Sequence, residues 1–86
     1  MQRHTGHPDS IPLNALLPQQ RGIVTDLKGG HGLLSRMATL GFTPGAEVTM
    51  VQNFGRGPII VVVRGGRVAL GRGEASKIRV RATSDA

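Results

Sequence analysis

Apolar residues recur along this chain with two different periods, and the change of period marks its elements. From Gln20 to Leu27 the run QRGIVTDL predicts a strand, with Ile23, Val24 and Leu27 as its apolar positions and Gly22 inviting a bulge. Gly29, Gly30 and Gly32 end it. Leu33, Met37 and Leu40 then fall at i, i+4 and i+7, with Leu34 beside them, which predicts a short amphipathic helix over 33–40. Gly41 stands where a C′ residue takes positive φ, Phe42 can fold back toward Met37, and Pro44 prevents continuation. Beyond this point the period falls to two. Glu47 to Asn53 places Val48 and Met50 on one face and Glu47, Thr49 and Val51 on the other. Ile59 to Arg64 is a β-branched run, and Gly65-Gly66 signals a two-residue hairpin into Arg67–Leu70. A helical turn fits Gly73–Ser76, and Lys77–Arg81 reads as a last strand with Ile78 and Val80 inward.

About five short strands, one helix and tight turns within 86 residues predict an all-β fold, a small barrel closed to remove its edges, SH3-like or OB-like. Residues 1–10 and 82–86 lack a hydrophobic period and read as flexible tails around a domain spanning 11–81.

Composition narrows the chemistry. There is no Cys, which removes disulfides, thiolate metal sites and thiol catalysis. Phe42 and Phe54 are the only aromatic residues, too few for the usual stacking platform of single-stranded nucleic acid. The longest apolar run, Ile59–Val63, is far short of the roughly 18 residues of a membrane span. With no apolar segment in the first ten residues, a cytoplasmic location is the expectation. The carboxylates Asp9, Asp26, Glu47, Glu74 and Asp85 are scattered, and no spacing pairs an acid with a base, so an enzyme is not expected.

The net charge of +6 is concentrated in the second half. Between Phe54 and Arg81 lie Arg56, Arg64, Arg67, Arg72, Lys77, Arg79 and Arg81 against Glu74 alone. Lys77, Arg79 and Arg81 alternate onto one face as a basic patch, which is either a solvated strand face or a steering surface for an acidic partner. His4, His7 and Asp9, with His31 from the glycine-rich loop, are the candidate ligands for zinc or iron(II), two imidazoles and a carboxylate suiting a borderline cation. Incidental histidines in a tail are the plainer explanation, since a metal site needs a supporting shell. Lys28-Gly29-Gly30-His31-Gly32 leads into a helix but lacks phosphate-loop spacing, and reads as a tight turn.

Four stretches, RMATLGFTPG (36–45), PIIVVVRG (58–65), Arg67–Leu70 with Glu74-Ala75, and Ile78–Val80, resemble the ferrous iron transport protein A family, FeoA. The resemblance covers about Leu13 to Arg81 and implies an SH3-like barrel. It further implies a non-catalytic cytosolic accessory protein that docks on FeoB, a membrane ferrous-iron transporter with a cytosolic G-domain. The same domain closes metal-dependent repressors of the diphtheria toxin repressor type, so a metal-sensing regulator module and a small basic nucleic-acid binder are the alternatives.

One departure from the family pattern is informative. Ile59, Val61 and Val63 can face the core, yet Ile60 and Val62 on the opposite face are also apolar. Val51 adds a third outward apolar residue on a neighbouring strand. With Arg64 beside them, these form either a partner or homodimer contact, or a face covered by Leu13–Leu17.

Overall fold

The two periods translate directly into elements in the computed structural model, which describes residues 9–83. Strand β1 is Ser10–Pro12, and a 3-10 turn follows at Leu13–Ala15. Then come β2 (Arg21–Leu27), helix α1 (His31–Leu40), β3 (Glu47–Gln52) and β4 (Ile59–Val63). Strand β5 (Gly66–Leu70), the single turn α2 (Arg72–Ala75) and β6 (Ile78–Ala82) complete the elements of the described residues. The strands form one antiparallel sheet in the order β1-β6-β2-β3-β4-β5 around a core, and no β1–β5 pairing closes it among the described residues, so the expected removal of edges is not met. The sixth strand is β1: with a single apolar residue in Ser-Ile-Pro it carries no readable alternation, and long-range pairing with β6 creates it.

The core is built by alternation. Along β4, Ile59, Val61 and Val63 are buried while Ile60 and Val62 are half-exposed. Val48 and Met50 of β3, Val24 of β2, Leu70 of β5, and Ile78 and Val80 of β6 enter the same cluster. Leu13 and Leu16 close one end of it, and Met37 and Phe42 supply the contribution of α1 and its exit. Helix α1 starts two residues before its apolar period does. Leu34 N–H bonds to Gly30 O at 3.0 Å, and the two leading residues, His31 and Gly32, are exposed and carry no hydrophobic mark.

The exit of α1 fixes how helix and sheet join. Gly41 has φ 106°, its N–H bonds to Ala38 O at 3.0 Å, and Phe42 N–H bonds to Met37 O at 2.9 Å. This is the Schellman pattern, and it delivers Phe42 into the core.

Two turn features differ from the sequence reading. The β4–β5 hairpin turns at Arg64-Gly65 rather than Gly65-Gly66, with φ 52° and 80°, and Gly66 pairs with Val63. Two positive φ values match the right-handed twist of a hairpin, and Arg64 accepts one of them because its side chain is anchored, as described below. The bulge in β2 lies between Val24 and Asp26, not at Gly22. Gly22 is instead a close approach: a Cβ there would stand 3.2 Å from the Arg81 carbonyl oxygen.

At the far end of the barrel one side chain gathers three segments. Asn53 Nδ2 donates to Asn14 O at 3.0 Å and Leu16 O at 2.8 Å. Its Oδ1 accepts from Gly55 N–H at 3.1 Å and from Arg72 Nη2. Asn53 thus ties the 3-10 turn, the β3–β4 loop and α2 together.

Two stability predictions follow the geometry of these junctions. Asn53→Ala leaves two half-buried carbonyls unpaired and should cost about 1–3 kcal/mol, visible as a fall in Tm of about 4–8 °C per kcal/mol in a domain of this size. Gly41→Ala should cost about 1–2 kcal/mol from left-handed strain, plus a contact, because its Cβ would meet Arg64 Cγ and Cδ at 3.1 Å. Gly45, at φ 93° with open space around it, is the control. Equal losses for Gly41→Ala and Gly45→Ala in thermal unfolding would show that the Arg64 contact contributes nothing.

Candidate functional site

The antiparallel register makes a lattice of the sheet face turned away from the core. One transverse row runs Arg21–Thr49–Val62–Arg67 across β2, β3, β4 and β5. The next runs Gln52–Ile60–Ala69. Val51 is the extra residue between them, at the register shift between Met50 and Gln52. The centre of this face is therefore apolar, with Val51, Ile60 and Val62 half-buried and Ala69 exposed, and arginines stand at both ends of one row.

Leu13–Leu17 does not supply a cover. Leu13 and Leu16 are fully buried in the core, and Leu17 is 67% exposed. Burying what remains open of Ile60 and Val62 would be worth about 1 kcal/mol each, since both are already half-covered by cross-strand neighbours.

Arg64 frames one end of the apolar strip. Its Nε lies 3.4 Å from Gly41 O, its Nη2 donates to Thr43 Oγ1 at 3.0 Å, and its stem runs against Gly41. The guanidinium sits at the carbonyl end of α1, where the helix dipole favours a cation. A non-glycine residue held at φ 52° by its own side chain is a position where strain is tolerated because the surroundings fix it. Beside it a shallow groove of about 400 Å³ is lined by Arg21, Glu47, Thr49, Val62 and Arg64. Arg21 and Glu47 pair across its mouth at 3.7 Å, both largely exposed. Such a pair contributes little to stability and is free to exchange partners.

The three residues of the basic patch differ in exposure. Lys77 precedes β6 and is exposed, while Arg79 and Arg81 lie within the strand and are half-buried. Arg79 Nη2 donates to Ser10 O at 2.8 Å and its Nε and Nη2 both approach Ser10 Oγ at 3.3 Å. Its guanidinium is engaged in holding β1, whereas Lys77 is exposed to solvent.

Of the metal-ligand candidates, His4 and His7 lie outside the described residues. Asp9 is exposed before β1, and His31 is the exposed first residue of α1. Among the described residues no three of His, Cys, Asp and Glu come together. The carboxylates are kept apart as well: Glu74 pairs with Arg36, Glu47 with Arg21, and Asp26 accepts from the Thr25 hydroxyl at 2.9 Å.

Sequence reasoning missed Asn53, Arg67, Ala69 and Arg21 as members of functional surroundings. Only the register brings them to their places, and no local pattern encodes it. Phe54 and Leu17, exposed by 77% and 67%, flank the Asn53 junction.

Comparison with known proteins places this geometry. Residues 11–82 match the model of the FeoA domain. A curated relative, "Putative Fe(2+) transport protein A" of Methanocaldococcus jannaschii, is 34% identical over 58 residues, covering 67% of this chain and 70% of its own. The crystal structure of an iron uptake regulatory protein, FeoA, superposes with TM-score 0.82 at 36% identity, covering 86% of this chain and 99% of that one. The FeoA of Stenotrophomonas maltophilia, crystallised with zinc and described as an SH3 domain protein, gives TM-score 0.74 at 31% identity over 81% of this chain and 88% of that one. A manganese-dependent transcriptional repressor shares the fold at 22% identity, TM-score 0.78, with 90% of this chain matching 44% of that one. An SH3-like sheet, the helix-capping glycine and a family match across nearly every described residue agree: the chain belongs to the FeoA domain family.

Proposed function

We propose that this chain is a non-catalytic, cytoplasmic accessory domain of ferrous-iron uptake that docks on the FeoB transporter and biases its working cycle. The observation that supports this most is the apolar strip of Val51, Ile60 and Val62, on the sheet face away from the core and framed by Arg64. A chain carrying net charge +6 has little reason to keep β-branched side chains on an outer strand face unless another surface covers them. Among the described residues no helix is long and apolar enough to cross a membrane. The relatives named for Fe(2+) transport and iron uptake support the system in which the contact operates.

Docking of this kind acts by preference. A bound domain shifts a transporter or its G-domain only by the difference in its affinity for two conformations, so tight but indiscriminate binding would change nothing. The apolar centre would supply affinity and the arginine ends would speed encounter with an acidic rim. Nucleic-acid binding has less support, because Arg79 is occupied with Ser10 and, of the two aromatic residues, Phe42 is buried in the core.

Titration calorimetry against the cytosolic region of the same organism's FeoB, at physiological salt with and without GTP, tests this. Ile60→Glu should weaken binding by at least about tenfold, while leaving the circular dichroism spectrum and Tm close to wild type, because Ile60 lies outside the core. Raising salt should slow association more than it weakens the complex. Wild-type affinity in Ile60→Glu would remove this face from the interface, and absence of any heat with either nucleotide state would overturn docking on that region.

A further inference from the structure

The sheet order leaves two edges, and they are unequal. Strand β1 has three residues and ends at Pro12, so it offers almost nothing to pair with. Strand β5 is a five-residue strand, regular in register with β4 and without proline or bulge. Because the turn Arg64-Gly65 is a two-residue hairpin, Val63 and Gly66 exchange both backbone bonds, and the pattern alternates from there. Val68 and Leu70 direct their N–H and C=O groups at β4. Arg67 and Ala69 direct theirs away from it. Among the described residues no backbone hydrogen bond reaches either residue from the open side. Gly66, Arg67 and Ala69 are exposed, and no charged side chain points inward to blunt the edge.

The geometry points to β5 as a strand-addition site for an extended, acidic segment of a partner protein, laid antiparallel or parallel along Arg67–Ala69. Main-chain bonds to the two free residues would hold such a segment, and alternate side chains would set its choice. The charge settles its chemistry. From Arg56 to Arg72 the chain carries four arginines and no carboxylate, with Arg67 on the edge itself and Arg64 in the turn leading to it. An acidic residue at every second position would face Arg67 on the outer side, next to the exposed Ala69. A second copy of this chain is a poorer occupant, since it would bring Arg64 and Arg67 of both copies together. The inference does not rest on FeoB: failure to bind a transporter would leave it untouched.

A capped peptide of alternating Glu and Val, about eight residues long to span such a strand, is the probe, with a Lys/Val peptide as control. Amide hydrogen exchange should slow by at least about tenfold at Arg67 and Ala69 when the Glu/Val peptide is added, and little at Val68 and Leu70, already bonded to β4. Ala69→Pro removes an outward N–H without breaking the ladder, a substitution edge strands accept, and should abolish the effect in a chain that still melts cooperatively. If that variant does not fold, Arg67→Glu serves, and should favour the Lys/Val peptide. No binding at about millimolar peptide, equal binding of both peptides, binding without protection of Arg67 and Ala69, or protection of the same amides by raising protein concentration alone would each overturn the proposal.

Discussion

The clasp between Arg64 and the end of α1 is the constraint on which the presented surface depends. Helix and sheet meet where Gly41 turns the chain left-handed, and at that point no side chain intervenes. The vacancy above Gly41 is filled by the Arg64 stem, and the guanidinium finds Gly41 O and Thr43 Oγ1. Each partner requires the other. A Cβ at residue 41 would displace the arginine, and without the arginine a non-glycine at φ 52° would have nothing to hold it in a type I′ turn. The β4–β5 hairpin is aimed by this contact, and with it the outward strip and the β5 edge.

Asn53 plays the corresponding role at the opposite end with neutral chemistry. One amide has two donor hydrogens and an acceptor oxygen, and here all are engaged, by its own loop and by two segments distant in sequence. A short hydroxyl could not span the turn carbonyls of Asn14 and Leu16, and a carboxylate could not donate to them. In a domain with no disulfide and a small core, such polar junctions carry a share of the specificity that size would otherwise supply.

Much of the fold was legible because it is local. The α1 period, the Gly41 exit and the alternation in β3 and β4 each involve residues within a few positions of one another, and the structure matches them. What was not legible is what depends on distant partners. Strand β1 exists because β6 pairs with it, and the β2 bulge falls at Thr25 because β6 dictates register there. The hairpin turn was displaced by one residue because glycine is the default for positive φ, and only the tertiary contacts of Arg64 let a bulky residue take that place. For the site, Ile60 and Val62 could be read as outward from alternation alone. Arg21, Arg67 and Ala69 could not, since register across four strands decides which residues share a row. Arg79 showed the reverse error: an arginine alternating outward reads as solvated until its bonds to Ser10 are seen.

A strand apolar on both faces in a fold this small raises a question of solubility that the rest of the sequence answers. Strand β4 lies inside the sheet, between β3 and β5, so its own backbone is fully paired and cannot template aggregation. Its outer apolar residues are narrowed to a strip by Thr49, Gln52 and the terminal arginines of the adjoining row. The net charge of +6 opposes self-association and favours an acidic surface. Apolar centre, open edge and cationic frame are thus one arrangement. Like charge disfavours a second copy on a surface whose backbone and side chains would otherwise accept it, and the same charge favours an acidic occupant.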